Sequence, residues 1–218
     1  MERSSLAIII PAFNEAKTIS KIVKKCFKYG EVIVINDSSS DETAIKAKES
    51  GAIVLNNSSP NGYDKALNTG FNYALKKNYS FIITIDGDGQ HDTRDIPFLI
   101  TKLKSGFDMV IGNRNKKSRL GEYLFSFYTR IFWGINDPLS GYKAYTFQLC
   151  KKIGYFDSYN SIGTEILFFS LKNGFKVSEY DIKIKSRKGQ SRFGSFLKAD
   201  LKIIRALIIS FFKTYNQN

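Results

Sequence analysis

The chain has 218 residues, 43% hydrophobic and 24% charged, which suits one well-buried domain with a modest appendage, so a single catalytic domain is expected. Its 33 basic residues against 20 acidic ones leave a net charge of +13, which calls for an anionic partner: nucleic acid, anionic lipid or a phosphorylated substrate. No zinc-finger spacing or RNA-recognition sequence accompanies the charge, which counts against nucleic acid. Cys26 and Cys150 lack metal-ligand and CxxC spacing, which counts against a disulfide framework and favours the cytosol.

In chain order, the apolar run at residues 6–10 stops at Pro11; it lacks the length and cleavage region of a secretory signal and reads as a buried strand. A helical pattern at 18–27 follows, then a strand at 32–35, a helix at 41–48, a short strand near Ile53 and a helix at 65–76. A strand at 81–85, a helix at 96–104 and a strand at 109–111 complete the first half. Strands alternating with helices imply βαβ units and a mainly parallel sheet, an α/β nucleotide-binding layer. Beyond it come an aromatic-rich segment at 120–133, a loop at 137–142, a helix at 163–171 and a strand at 176–184.

The tail at 193–213 has a different pattern. On a helical wheel Phe196, Leu197, Leu201, Ile204, Leu207, Ile208 and Phe211 share one face, with Lys198, Lys202, Arg205 and Lys213 opposite and Asp200 interrupting the apolar side. Charges recur too often for a spanning helix. A basic amphipathic helix lying in a membrane interface fits, and a helix docked on the domain with its basic face solvated is the alternative. The expected organisation is therefore a catalytic domain over 1–192 and an amphipathic helix within 193–218.

In α/β sheets ligands gather outside the carboxyl ends of the strands. Three apolar runs end in polar groups: Pro11-Ala12-Phe13-Asn14-Glu15, Asn36-Asp37-Ser38-Ser39-Ser40-Asp41 and Asp86-Gly87-Asp88-Gly89-Gln90-His91. Asp86 and Asp88, two apart at a strand end, are placed to hold Mg²⁺ or Mn²⁺ against a diphosphate, with Gly87 and Gly89 allowing close approach and Gln90 or His91 adding a ligand or hydrogen bond. Asp37 is expected to accept hydrogen bonds from a nucleobase or ribose, and Asp41 to cap the next helix. Glu15 fits equally a first-turn acid and a wall of the donor pocket. His91 is the only histidine. Neither a Gly-x-Ser-x-Gly turn nor a P-loop is present, and Arg114, Arg119, Lys143, Arg187 and Arg192 are the basic loop residues that suit phosphate.

Taken in order, these segments resemble the family 2 glycosyltransferases, and within them the polyprenyl-phosphate sugar transferases of the dolichol-phosphate mannose synthase type. The similarity also draws on Asp137-Pro138-Leu139-Ser140-Gly141-Tyr142-Lys143 and Arg187-Lys188-Gly189-Gln190-Ser191-Arg192, and runs from about Leu6 to Arg192. The resemblance implies a GT-A fold, a Rossmann-like mainly parallel sheet flanked by helices. It implies a metal on Asp86 and Asp88 with help from Gln90, and a UDP- or GDP-linked donor against Pro11, Ala12, Asn14, Glu15, Asp37, Asp86 and Gly87. Arg114, Ser140, Lys143 and Arg187 would meet the acceptor phosphate, in an inverting displacement at the inner face of a membrane. Two departures stand out: Lys143 where an Arg is frequent, and Asp64-Lys65 in place of small residues. Transfer to a glycan hydroxyl is the second reading. A nucleotidyltransferase would carry a glycine-rich loop where Pro-Ala-Phe-Asn-Glu stands, and a non-catalytic membrane- or nucleic-acid-binding module is opposed by the intact Asp86 and Asp88.

Overall fold

Apolar runs without alternation belong to strands covered on both faces, and here they assemble into one seven-stranded sheet. The computed structural model describes residues 5–114, 117, 119–185 and 196–215. The strands are β1 (Leu6–Ala12), β2 (Glu31–Asn36), β3 (Ile53–Asn56), β4 (Phe81–Thr84), β5 (Met109–Arg114), β6 (Lys143–Thr146) and β7 (Val177–Ile182). Their spatial order is β3-β2-β1-β4-β6-β5-β7, every neighbouring pair being parallel except those of β6, which runs antiparallel to both β4 and β5.

The helices are α1 (Ile19–Cys26), α2 (Thr43–Glu49), α3 (Tyr63–Lys76), α4 (Ile96–Lys104), α5 (Leu120–Trp133), α6 (Phe147–Ile153), α7 (Glu165–Lys172) and α8 (Phe196–Tyr215). Successive residues of β1 face opposite sides: Ile8 and Ile10 pack with Ile19 and Val23 of α1 and Leu99 of α4, while Ala7 and Ile9 pack with Leu67 and Phe71 of α3 and Leu167 of α7. Cys26 and Cys150 are buried free thiols, one in each layer.

β1 continues through Pro11 and Ala12 beyond the expected stop. Pairing with β4 ends at Ile9, so a proline there interrupts no ladder on that side, while β2 still pairs through Asn36. Here β1 and β4 part, and the sheet opens. β6 and α6 were not anticipated from the sequence: Lys-Ala-Tyr-Thr is four residues long and shows no alternation.

α8 docks on α5 and α7 through Ile203, Ala206 and Ser210, beside Phe125 and Phe168. This face is rotated from the one the wheel suggested, because small residues permit the close approach; Leu201, Ile208 and Phe211 stay exposed. Asp200 has a partner: its Oδ1 accepts from Gly121 N (2.9 Å) at the start of α5. A Cβ on Gly121 would stand 2.9 Å from that oxygen, so glycine lets the helices meet. Among the described residues no helix is long and apolar enough to cross a membrane. The proposed domain boundary at 192 falls outside the described residues.

Candidate active site

The carboxyl ends of β2, β1 and β4 lie side by side, so the three polar strand ends meet as the alternation required. Asp37 N donates to Ala12 O (2.9 Å), and Ile85 N to Ile9 O (3.1 Å). The first two loops then stitch together: Asn14 N donates to Ser39 Oγ (3.0 Å), and Ser40 N to Asn14 Oδ1 (2.9 Å). Asn14 and Ser38 both adopt left-handed backbone (φ 54° and 59°), a local cost maintained by these cross-loop bonds. Glu15 N donates to Thr43 Oγ1 (2.8 Å) and Ala16 N to Asp41 Oδ2 (3.1 Å), while Asp41 Oδ1 also accepts from Thr43 N (3.0 Å) and its hydroxyl. Asp41 is thus structural, as expected, and braces the β1 loop as well as the start of α2. Desolvation works to raise its pKa, but the donors from Thr43 and Ala16 prevail and lower it.

Asp37 is buried and accepts from Asn57 Nδ2 (2.8 Å), Asn61 N (2.9 Å) and Gly62 N (2.8 Å). Its carboxylate frames the loop leading into α3. Beside it, a Cβ on Gly87 would meet Pro11 O at 3.3 Å and Glu15 Cγ at 3.6 Å, and Thr18 Oγ1 donates to Gly87 O (2.7 Å). Pro11, Ala12, Asn14, Glu15, Asp37 and Gly87, all expected at the donor, therefore share one corner.

Asp86 and Asp88 follow β4. Asp88 is buried and its Oδ1 accepts from Gln90 N (3.0 Å), whereas the Asp86 side chain is one-third exposed. Gly141 lies directly against Asp86, where a Cβ would come within 2.5 Å of Oδ2. Gln90 Nε2 donates to Lys185 O (3.3 Å), so only its Oε1 could serve a cation. Asp92 Oδ2 accepts from Arg94 and from Lys185 Nζ (2.9 Å), and these cations hold its carboxyl well below the usual range, against desolvation. Lys185 is thereby tied to the Asp86–Asp92 loop; Arg187 and Arg192 lie outside the described residues. Among the described residues no three His, Cys, Asp or Glu side chains gather as a cation cage. Two carboxylates, with the Gln90 amide on the same loop, fit Mg²⁺ or Mn²⁺, hard ions that complete their shell with waters and substrate phosphates.

The opposite wall is built from β5, β6 and β7. Arg114, at the end of β5, makes a fork with Asp137, Nε to Oδ2 at 2.7 Å and Nη2 to Oδ1 at 2.9 Å, and its own N–H also donates to Oδ2 (2.9 Å). Burial opposes the guanidinium charge, but Asp137 outweighs it and keeps Arg114 ionised. Glu179 of β7 secures the loop by accepting from Asn136 N (2.9 Å), Asn136 Nδ2 (2.7 Å) and Asp137 N (2.8 Å). Ser140 is buried, and its Oγ accepts from Tyr142 N (3.3 Å).

Lys143, expected at the acceptor phosphate, is fully buried, and its Nζ donates to Pro138 O and Gly163 O, each at 2.8 Å. It supports the Asp137–Gly141 loop from behind. Burial pulls its pKa down to about 8, with Asp137 opposing. Asp64 grips the same neighbour from the other side, accepting from Gly163 N (2.9 Å). This gives a role to one of the two departures seen in the sequence. Burial, and then the field of Asp157, push Asp64 up to about 7. The native state then holds a proton that the unfolded chain releases between pH 3.8 and about 7, so this group makes stability fall as pH rises through that window. Asp64→Asn should accordingly raise the melting temperature most at pH 8 and hardly at all near pH 4. An equal change at both pH values in thermal unfolding would show that ionisation of Asp64 has no such cost.

The Arg114–Asp137 pair, Glu179 and the Asp64–Gly163–Lys143 clamp were not legible as units, because their members are far apart in sequence. The one available signal was Asp137 standing next to the Pro-Leu-Ser-Gly loop.

Comparison with known proteins bears on the family and the fold. Residues 7–163 match the family model described as Glycosyl transferase family 2. An uncharacterized protein of Methanocaldococcus jannaschii is 32% identical over 227 residues, covering 96% of this chain and 93% of that one. The polyprenol monophosphomannose synthase of Mycolicibacterium smegmatis is 26% identical over 206 residues, covering 83% and 77%. Among solved structures, glucosyl-3-phosphoglycerate synthase from Mycobacterium tuberculosis in complex with Mn²⁺, uridine diphosphate and phosphoglyceric acid superposes with a TM-score of 0.77 at 19% identity, over 95% of this chain and 78% of that one. That likeness shows a shared GT-A fold.

Proposed function

Since the chain belongs to glycosyl transferase family 2 and is a glycosyltransferase, we propose that it moves a sugar from a nucleotide-diphosphate sugar to a polyprenyl phosphate. It does so at an anionic membrane surface, from the cytoplasmic side, with Mg²⁺ or Mn²⁺ as cofactor. The catalytic domain occupies 1–192, and the helix within 193–218 helps to seat it.

The observation that carries this reading is the outer face of α5. Leu120, Tyr123, Leu124, Phe127, Ile131 and Phe132 recur at i, i+3, i+4, i+7, i+11 and i+12, and all are 46–66% exposed. Phe211 and Phe212 of α8 extend the patch, with the Phe211 ring 5.9 Å from Tyr128. An aromatic stripe of this length, on a chain of charge +13 with Arg130 of α5 and Lys202 and Arg205 of α8 exposed, suits an anionic bilayer. α5 begins shortly after Arg114 and ends shortly before Asp137, so a bilayer seated on it would present lipid headgroups to the Arg114–Ser140 wall. The mycobacterial relative, named for a polyprenol phosphate product, supports the same acceptor. The solved complex with Mn²⁺ and uridine diphosphate supports the donor and the metal.

In this reading Pro11, Ala12, Asn14, Glu15, the loop framed by Asp37, and Gly87 receive the nucleotide, and Asp86 and Asp88, with Gln90 beside them, hold the metal. When bound, the metal would neutralise charge on the departing diphosphate. Arg114, kept charged by Asp137, with Ser140 and Arg187, positions phosphate oxygens, and Lys143 holds their loop in place. An ionised lipid phosphate needs no general base, in contrast to a hydroxyl acceptor.

The test is to incubate the protein with radiolabelled UDP- and GDP-sugars and vesicles containing polyprenyl phosphate. Label moving to the organic phase is expected; label appearing only on soluble glycans would establish the hydroxyl reading instead. The double substitution Phe127→Glu, Ile131→Glu should reduce flotation with anionic vesicles at least ~10-fold while nucleotide binding persists. Undiminished flotation would remove α5 from the interface.

A further inference from the structure

We propose that His91 is a positioning residue for Asp86, setting the orientation in which that carboxylate receives a divalent cation. His91 Nε2 lies 3.2 Å from Asp86 Oδ2, and its side chain is only 4% exposed against 33% for Asp86, so the ring sits behind the carboxylate and away from the open side. Neighbours of both side chains fix the pair. The ring packs on Tyr142 (centroids 5.1 Å apart, planes at 45°), and Tyr142 is itself buried with its hydroxyl donating to Asp92 O (3.3 Å). Gly141 leaves no space beside the same oxygen, Asp86 Oδ2, and its carbonyl accepts from Thr84 Oγ1 (2.9 Å). Asp86 Oδ2 is therefore met by both an imidazole and a tightly packed backbone.

The second ring nitrogen supplies the functional argument. His91 Nδ1 is buried and has no hydrogen-bond partner. A carboxylate can only accept, so Nε2 carries the hydrogen of that bond, while Nδ1 is shut away from water without a partner. A phenylalanine would fill the same space against Tyr142 without that desolvation penalty. The histidine is explained by the one bond it makes, to Asp86. Outer-shell partners of this kind orient ligating carboxylates, and their loss typically weakens metal affinity 10–100-fold.

The inference rests on the reading that Asp86 takes the metal, and one set of measurements separates the two. Because His91 is the only histidine, ¹⁵N-labelled protein gives a single imidazole system. The metal-free protein should show the Nε2–H tautomer, and Mn²⁺ added with UDP should broaden that system beyond detection. In His91→Phe, Mn²⁺ affinity measured calorimetrically with UDP present should fall 10–100-fold, with metal-free UDP binding unchanged, and His91→Gln, which keeps an N–H donor, should recover part of the loss. An Nδ1–H tautomer, or wild-type Mn²⁺ affinity in His91→Phe, would overturn the positioning role while leaving the metal assignment standing. Absence of broadening in the wild-type protein would overturn the metal assignment and this inference with it.

Discussion

Replacing Asp86 and Asp88 together by alanine should lower turnover by roughly a thousandfold, the effect of losing several kcal/mol of stabilisation of a departing diphosphate. The reason lies in the end of β4: Asp86 borders the Arg114 wall through Gly141, and Asp88 is drawn inward by Gln90 N. Turnover measured on purified protein at saturating metal separates a lost site from a weakened one. A variant that kept turnover within a few-fold of wild type would show that the metal, if used, binds elsewhere.

Asp137→Ala should be the most destabilising single change in the site, costing about 3–5 kcal/mol. Its carboxylate is 1% exposed and accepts three bonds from Arg114, so alanine strands a guanidinium that is itself only 20% exposed. For a chain of this size the melting temperature should fall by roughly 10 °C. Arg114→Met removes the stranded charge and should be better tolerated in stability while still impairing transfer. Thermal unfolding of the two variants side by side tests this, and a drop of under about 2 °C for Asp137→Ala would mean that the fork contributes little.

How far the sequence carried the fold depended on periodicity. β1, β2 and β4 are apolar runs ending at polar groups, so their convergence followed from strand alternation with α1 to α4, and α4 matches its expected bounds. β6 escaped because four residues display no period, and with it escaped the antiparallel insertion that brings Gly141 to Asp86. The type of residue was legible where its direction was not. The charge of Lys143 points to phosphate, but at the first position of β6 its stem turns inward onto two carbonyls. At Asp37 the sequence points to the nucleotide, and the structure adds three donors from its own chain, a pairing across 20 to 25 residues that no local pattern announces. In α8 the wheel identified an amphipathic helix, but close packing through Ala206 and Ser210 chose the docking face.

The claim on which the rest depends is that the ends of β1, β2 and β4 form one metal-dependent nucleotide site. Its most direct test is calorimetric titration of the purified protein with UDP, GDP and their sugar conjugates, with and without Mn²⁺. Binding of one nucleotide that strengthens at least ~10-fold with Mn²⁺, and loses that gain in the Asp86→Ala, Asp88→Ala protein, is the predicted result. Failure of every nucleotide to bind in the presence of metal, by a protein that unfolds cooperatively, would contradict it.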